Sequence, residues 1–142
     1  MIAVDTNVLV HAHRTDSPWH DAATRALSTL GAGRWAIPWP CLHEFCAVVT
    51  HPRIFDPPTP LDDALLAVES WRASAVQLLG ETDEHWPVLA QLLRQGRVLG
   101  PMVHDARVAA ICLQHGVEEL WTVDRDFSRF PALQVRNPLV PG

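Results

Sequence analysis

The sequence predicts an α/β fold, a three-layer sandwich in which a five-stranded parallel sheet lies between two layers of helices. Five short apolar segments alternate with longer segments of helical periodicity across the 142 residues. Strands that alternate with helices are typical of a parallel sheet with helices on both faces. The length suits one domain with its own core, so we expect residues 1–142 to form a single domain.

The first strand comes from an apolar run, Ile2 to Val10, that Asp5, Thr6 and Asn7 interrupt. A continuous β-branched run is typical of a strand buried on both faces, but an unpaired carboxylate at its centre would be costly to bury. We therefore end the strand at Val4 and place Asp5 at the C-terminal edge of the sheet, where open α/β sheets bind ligands. The alternative is that Asp5 or Asn7 only caps the helix that follows.

The other elements follow from short apolar segments bounded by proline or glycine and from apolar residues at helical spacing. The remaining predicted strands are Trp35–Pro38, Ala75–Leu79, Glu119–Val123 and Leu133–Arg136. The predicted helices are Trp19–Leu30, Cys41–Val49, Pro60–Trp71, Asp83–Gln95 and Met102–His115, with a short helical turn at Arg125–Phe130. Thr59 and Thr82 precede two of these helices, and we expect them to act as N-caps.

The charge of the chain argues against binding nucleic acid through a broadly basic surface. The net charge is −5, and all 11 basic residues are arginine. That argument weakens if several carboxylates surround a cation, because the remaining surface is then nearly neutral. The absence of lysine excludes a P-loop, a Schiff-base enzyme and the lysine-dependent sites of receiver domains and haloacid-type phosphatases.

Cysteine usage and hydropathy predict a reduced, cytoplasmic protein. Cys41, Cys46 and Cys112 are odd in number and lack metal-type spacing, so we expect them to be small buried thiols. No apolar run approaches the roughly 20 residues that span a bilayer. The N-terminus has neither the basic start nor the cleavage site of a secretory signal. We therefore expect no association with membranes.

Acidic residues occur at four places where the neighbouring residues are apolar or a strand has just ended. Asp5 follows the first strand, and Asp124 and Asp126 follow the fourth. Glu44 and Asp105 lie on helices, each on a face with small or apolar residues. Each position also has a structural explanation: Glu44 as a surface acid, Asp105 as a helix-dipole partner and Asp124 as a cap.

Taken together, these acids predict a cation site at one edge of the sheet. Two of them follow strands at the same edge, and two lie on helices that can lean over it. Like charges that come this close repel and raise one another's pKa, and a divalent cation removes that cost. Hard oxygen ligands favour magnesium or manganese over zinc or copper.

The motifs around these acids resemble those of the PIN domain family. They are Asp-Thr-Asn-Val-Leu at residues 5–9, Glu44 in His-Glu-Phe, Asp105 in His-Asp-Ala, and Thr-Val-Asp-Arg-Asp-Phe at residues 122–127. The short format and the Arg-Asn-Pro segment at residues 136–138 resemble VapC-type toxins of toxin–antitoxin pairs. The resemblance extends from Ile2 to about Leu139, and the order and spacing of the motifs make it specific.

The resemblance implies a magnesium-dependent endoribonuclease that leaves a 5′-phosphate and a 3′-hydroxyl, with Mn²⁺ able to replace Mg²⁺. By their positions in the motifs, the acids implied to be catalytic and to hold metal are Asp5, Glu44, Asp105 and Asp124. Asp126 matches a fifth acid whose role varies among relatives, and we include it among the expected metal ligands. Asn7 and Thr122 match polar positions that orient the carboxylates or the attacking water. We expect Asp5→Asn to abolish cleavage and to leave the fold intact.

The partners implied by the resemblance are an RNA substrate, a small cognate antitoxin and a second copy of the chain in a homodimer. Two alternatives remain open from the sequence. One is a PIN nuclease that acts in RNA maturation outside any toxin pair. The other is a non-catalytic regulator of flavodoxin-like fold that uses the acidic pocket as a phospho-acceptor or cation sensor.

Histidine and tryptophan side chains give weaker indications of contacts with metal or RNA. His43 and His104 each precede a proposed ligand, and we expect packing or surface roles for them more than contact with phosphate. The Glu44 segment lacks the second histidine of a zinc-binding HExxH motif. Trp19 and Trp39 are candidates for an exposed groove, where an indole ring can stack on a base.

Overall fold

The computed structural model describes residues 1–31 and 33–141, and it contains the predicted five-stranded parallel sheet. Ala32 and Gly142, which belong to the predicted domain, lie outside the described residues. The strands are β1 (Ile2–Val4), β2 (Trp35–Pro38), β3 (Gln77–Leu79), β4 (Glu119–Trp121) and β5 (Gln134–Arg136). The helices are α1 (Thr6–His13), α2 (His20–Leu30), α3 (Trp39–Val49), α4 (Leu61–Arg72), α5 (His85–Gly96) and α6 (Val103–Gln114), with 3₁₀ helices at Gly100–Met102 and Arg125–Arg129. None of these helices has the length and apolar character needed to cross a bilayer.

The order of the strands places a crevice beside β1. The order is β3-β2-β1-β4-β5, and neighbouring strands pair in parallel. Right-handed crossovers put α1 to α4 on one face of the sheet and α5 and α6 on the other. Contacts of α1 with α2 and α3, and of α5 with α6, agree with these two layers. The chain reverses its direction across the sheet between β1 and β4, and such a switch point opens a crevice at the C-terminal ends of the strands.

The core lies on both sides of the central strands. Ala3 and Val4 of β1, Ile37 of β2 and Leu120 of β4 are all fully buried. Phe45 on α3 is also fully buried on one side of the sheet. Strands buried on both faces carry few polar side chains, which explains why the short apolar segments of the sequence indicate them correctly.

Helix α1 corrects the prediction that the first helix begins near Trp19. The helix starts directly after Asp5, whose Oδ1 accepts a hydrogen bond of 2.8 Å from the backbone nitrogen of Thr6. Its middle carries three buried apolar residues: Val8, Leu9 and Val10. From sequence alone this short apolar run, with its two β-branched valines, does not indicate a helix, but contacts with α2 and α3 stabilise a buried one.

Two of the predicted helix caps are wrong. Helix α4 begins after Pro60 without a side-chain cap, and the hydroxyl of Thr59 instead accepts a hydrogen bond of 3.2 Å from Nη1 of Arg14. Helix α5 begins after Glu84, later than predicted. The hydroxyl of Thr82 accepts a hydrogen bond from the backbone nitrogen of Glu84 in the turn before that helix.

We predict that Leu120→Ala lowers the free energy of unfolding by about 2–5 kcal/mol, because it leaves a cavity at a fully buried position of β4. Urea denaturation measures the change. Leu99→Ala is the matched control, since the side chain of Leu99 is 85% exposed and its loss should change stability by no more than about 0.5 kcal/mol. Equal effects of the two substitutions would contradict the placement of β4 in the core.

Candidate active site

Four of the predicted acids line one cleft at the C-terminal edge of the sheet. The cleft has a volume of about 450 Å³ and lies between α1, α3 and α6. The acids that line it are Asp5, Glu44, Asp105 and Asp124. They come from positions far apart in the sequence, and the switch point between β1 and β4 brings them together.

Asp126 belongs to the most compact acidic group of the described residues. One carboxylate oxygen each from Asp105, Asp124 and Asp126 lies within 4.8 Å of the other two. Asp105 is in the first turn of α6, and Asp124 begins the 3₁₀ helix that carries Asp126. Oδ1 of Asp124 accepts a hydrogen bond of 2.8 Å from the backbone nitrogen of Asp126. Three oxygen ligands at this spacing fit a hard divalent cation such as Mg²⁺ or Mn²⁺.

Asp5 is the buried member of the set, with 6% of its surface exposed. Its Oδ1 accepts hydrogen bonds from the backbone nitrogen of Thr6 at 2.8 Å and from Sγ of Cys41 at 3.3 Å. Its Oδ2 accepts from Oγ1 of Thr122 at 2.7 Å and from Nδ2 of Asn7 at 3.4 Å. Four donors therefore surround this carboxylate and compensate part of the cost of its burial.

Thr122 and Asn7 link the end of β1 to the loop after β4. The hydroxyl of Thr122 accepts hydrogen bonds from Nδ2 of Asn7 at 3.2 Å and from the backbone nitrogen of Asp124 at 3.0 Å. Oδ1 of Asn7 accepts from the backbone nitrogen of Val123 at 3.2 Å. These bonds hold Asp5 and Asp124 in a fixed relation, which is what an orienting role would require.

Glu44 approaches the cleft from α3, on the side opposite α6. The sequence places it on a face that should be partly covered, but the residue is exposed along the wall of the cleft. Its Oε2 accepts a hydrogen bond of 3.4 Å from Oγ1 of Thr6. Glu44 thus lies near the Asp5 end of the site, outside the compact group of three aspartates.

The acids influence one another's protonation, which supports their convergence. Burial, followed by the nearby charges of Asp124, Asp5, Asp126 and Glu44, raises the pKa of Asp105 to about 6. Burial is also the main reason that the pKa values of Asp5 and Glu44 are raised, with the other acids adding to the effect. A bound cation would reverse these shifts, because it stabilises the ionised carboxylates.

The structural roles that the sequence suggests for these acids are compatible with their positions in the cleft. Asp5 caps α1, Asp124 caps the 3₁₀ helix and Asp105 lies at the positive end of α6. A cap uses one lone pair of a carboxylate and leaves others available. The alternatives that the sequence left open are therefore not exclusive.

Sequence reasoning missed the thiol of Cys41 as a partner of Asp5. Cys41 is 36 positions from Asp5 in the chain, and its fully buried side chain reads as a simple core residue. His43 and His104 are exposed and line the cleft, together with Arg107. Arg107 forms an ion pair with Glu81 at this rim. In the sequence, only the positions of His43 and His104 directly before Glu44 and Asp105 point to the cleft. Nothing in the local sequence indicates the contacts of Cys41 or Arg107.

We predict that Thr122→Val destabilises the protein by about 1–3 kcal/mol, because it removes the hydroxyl that donates to the buried Asp5 carboxylate. Urea denaturation at pH 7 measures the loss. Thr24→Val is the matched control, since Thr24 is exposed on α2 and bonds only to its own helix. A Thr122→Val protein as stable as wild type would show that the network does not support the site.

We also predict that, in EDTA, the contribution of Asp105 to stability falls as the pH rises from about 4 to about 6. The pKa of Asp105 is about 6 in the folded protein, against an ordinary value of 3.8. The folded state therefore binds the proton more tightly than the unfolded state, and ionisation of Asp105 opposes folding as the pH rises through this range. Asp105→Asn should reduce this slope and raise stability at pH 7 by at most about 1 kcal/mol, because solvent screens a half-buried group.

Urea denaturation between pH 4 and pH 7 measures this slope. The ionic strength is the same at every pH, so that electrostatic screening stays constant. Asp83→Asn serves as the control, since Asp83 is exposed in the turn before α5 and does not line the cleft. An Asp105→Asn protein with the pH dependence of wild type would remove Asp105 from the interacting cluster.

Comparison with known proteins identifies the family. The sequence matches the PIN domain family over residues 2–133. Ribonuclease VapC43 of Mycobacterium tuberculosis is 36% identical over 142 residues, which cover 98% of this chain and 96% of the relative. Ribonuclease VapC48 of the same species is 32% identical over 137 residues, which cover 94% of each chain.

Solved structures agree on the fold. VapC20 of Mycobacterium tuberculosis, described as a Sarcin-Ricin loop cleaving toxin, superposes with a TM-score of 0.70 at 17% identity, covering 90% of this chain and 93% of that one. FitAcB from Neisseria gonorrhoeae superposes with a TM-score of 0.71 at 18% identity, covering 97% and 98%. With the sequence matches, these likenesses lead to one conclusion: the chain is a PIN-domain protein that belongs to the VapC ribonuclease family.

Proposed function

We propose that this protein is the toxin of a type II toxin–antitoxin pair and acts as a magnesium-dependent endoribonuclease. The observation that carries the proposal is the convergence of carboxylates from β1, α3, α6 and the loop after β4 on one cleft. Membership of the VapC ribonuclease family supports RNA as the substrate. The reaction requires no nucleophilic side chain of the protein, because an activated water molecule can attack the phosphodiester.

Asp105, Asp124 and Asp126 are the proposed metal ligands of the compact group, and Asp5 and Glu44 complete the site from the other wall. Mg²⁺ is the expected ion, and Mn²⁺ can replace it, since both prefer carboxylate oxygens. When bound, the cation supplies Lewis-acid activation of water and of the scissile phosphodiester. The raised pKa of Asp105 supports this assignment, because a cluster that repels itself is ready to bind a cation.

Other side chains of the protein orient the acids and bind the RNA. Thr122 and Asn7 hold the carboxylate of Asp5 through hydrogen bonds to Oδ2, and they are the proposed orienting residues. His43 and His104 line the cleft beside the acids and can donate to phosphate oxygens of the RNA.

A small antitoxin and a second copy of the chain are the proposed protein partners. VapBC2 from Rickettsia felis, which this chain resembles in fold, is a complex bound to a DNA fragment from its promoter. On this protein, Leu61, Leu65 and Leu66 of α4 are exposed apolar side chains, and exposed apolar patches are typical of interaction sites. The cytoplasm is the proposed location, where RNA and such a partner are found.

The central test is cleavage of total cellular RNA in Mg²⁺, with mapping of both fragment ends. Wild type should yield 5′-phosphate and 3′-hydroxyl ends, and EDTA should abolish the products. Asp105→Asn should reduce kcat/KM by at least about 100-fold, because ligand loss weakens metal binding. Titration with Mn²⁺ should show a matching loss of cation affinity.

Asp83→Asn is the control for charge, since it removes an exposed acid outside the cleft and should leave both rate and affinity near those of wild type. Wild-type protein that binds Mg²⁺ but cuts no RNA would contradict the nuclease assignment and favour a cation-dependent regulator. Cleavage that persists in EDTA would contradict the proposed metal dependence.

The toxin assignment has a separate test. Co-expression with the product of an adjacent small gene should yield a complex in which RNA cleavage is strongly reduced. Leu66→Glu should weaken either this complex or the homodimer, because it places a charge in an apolar patch, and light scattering measures the mass of each species. A monomer that no neighbouring gene product inhibits would favour a PIN nuclease outside any toxin pair.

A further inference from the structure

A second, smaller pocket adjoins the acidic cleft. Its volume is about 130 Å³, and its lining residues are His11, Trp19, Val123, Asn137, Leu139 and Val140. His11 lines both this pocket and the acidic cleft, so the two share a wall. Val123 directly precedes Asp124 in the chain, which places the pocket beside the proposed metal ligands. We call this feature the Trp19 pocket.

The backbone of Trp19 is held in a hydrogen-bonded turn, and the residue is 45% exposed. Its backbone nitrogen donates a hydrogen bond of 3.0 Å to Oγ of Ser17. The same hydroxyl lies 2.7 Å from Nδ1 of His11 on α1. A large aromatic ring that a hydrogen-bonded turn presents to solvent offers a stacking surface at little cost in ordering.

The C-terminal segment that lines the Trp19 pocket is also ordered by hydrogen bonding. Oδ1 of Asn137 accepts a hydrogen bond of 2.9 Å from the backbone nitrogen of Leu139. Leu139 is 8% exposed and anchors this segment, whereas Val140 is 44% exposed. The pocket therefore combines an indole ring, aliphatic side chains and the polar groups of His11 and Asn137.

The size of the Trp19 pocket limits what can occupy it. Drug-sized ligands need sites of about 300–1,000 Å³, and a helix with its side chains is about 10 Å wide. A volume of about 130 Å³ instead suits one planar ring system. Unstacked bases of single-stranded RNA bind proteins by stacking on aromatic side chains and by hydrogen bonds at their edges.

The position of the Trp19 pocket fits the path of an RNA strand through the cleft. Asn7, which contacts Asp5, and His11, which lines the pocket, are one turn apart on α1, a rise of about 6 Å. One nucleotide can bridge this separation between a phosphate at the acids and a base at the pocket. The polar groups of His11 and Asn137 can then meet the edge of that base.

We propose that the Trp19 pocket binds one nucleobase of a single-stranded RNA, stacked on the indole of Trp19, next to the phosphate that is cut. This inference rests on the proposed nuclease function and adds a residue that determines where the enzyme cuts. Trp19 acts by holding the substrate in register with the acids. It does not touch the reacting atoms.

The first test uses RNA oligonucleotides in which one base at a time is removed around the cleavage site. With wild type, loss of one particular base should reduce kcat/KM by roughly 5- to 100-fold, the usual range for a stacked base. Trp19→Ala should show a similar reduction with intact RNA and no further reduction when that base is missing, since the two changes remove the same contact. Trp19→Phe should recover part of the rate, because it retains a ring.

Trp86→Ala is the matched control, since Trp86 is 67% exposed on α5 and lines neither the cleft nor the Trp19 pocket. It should retain the wild-type rate and the wild-type response to each missing base. Identical responses of Trp19→Ala and Trp86→Ala to every substrate would overturn the inference while leaving the nuclease function intact.

The second test does not need catalysis. The indole N–H signal of Trp19 can be assigned in a ¹H–¹⁵N spectrum by its absence from Trp19→Phe. Addition of the four uncharged ribonucleosides, one at a time, should shift this signal for at least one base and leave that of Trp86 unchanged. A wild type that cuts no RNA but shows this shift would refute the proposed function alone, and the absence of any shift would refute the nucleobase pocket.

Discussion

The burial of the Asp5 carboxylate is the constraint on which the rest of the site depends. β1 and β4 pair in register, with Val4 opposite Trp121, and the backbone nitrogen of Asp5 donates to the carbonyl of Trp121 at 2.9 Å. This pairing fixes the carboxylate in the wall of the cleft, where it is almost fully buried. A buried carboxylate needs several hydrogen bonds to remain stable, so its donors must come from every element that surrounds it. The positions of α1, α3 and the loop after β4 are therefore tied to one side chain.

The cleft also illustrates a conflict between folding and function. Carboxylates that a cation requires at short distances repel one another in its absence, and the raised pKa of Asp105 is the sign of that repulsion. The hydrogen bonds around Asp5 and Thr122 oppose it, because they hold the end of β1 and the segment that carries Asp124 together. Local strain of this kind is common at sites where a protein is pre-arranged to bind a charged ligand.

The parts that the sequence predicts are those set by local patterns. The strands follow from apolar runs. The positions of Asp5 directly after β1 and of Asp124 in the loop after β4 follow from the geometry of parallel sheets. The helix α1 was missed, because its short apolar segment after Asp5 has no clear helical pattern and the packing of α2 and α3 against it cannot be known from sequence. The thiol of Cys41 beside Asp5 was missed for the same reason, since a contact across 36 residues leaves no local pattern.

The four contacts of Asp5 have a consequence for how an inactive form of this protein is best made. All four neighbours of the carboxylate point a hydrogen toward it, from Thr6, Asn7, Cys41 and Thr122. An isosteric amide replaces one acceptor oxygen with an NH₂ group, which would then face donors at a position that is only 6% exposed. The Asp5→Asn chain that the sequence suggests as an intact but silent form is thus a poor choice, and Asp105, at the mouth of the cleft, is the better place to neutralise a charge.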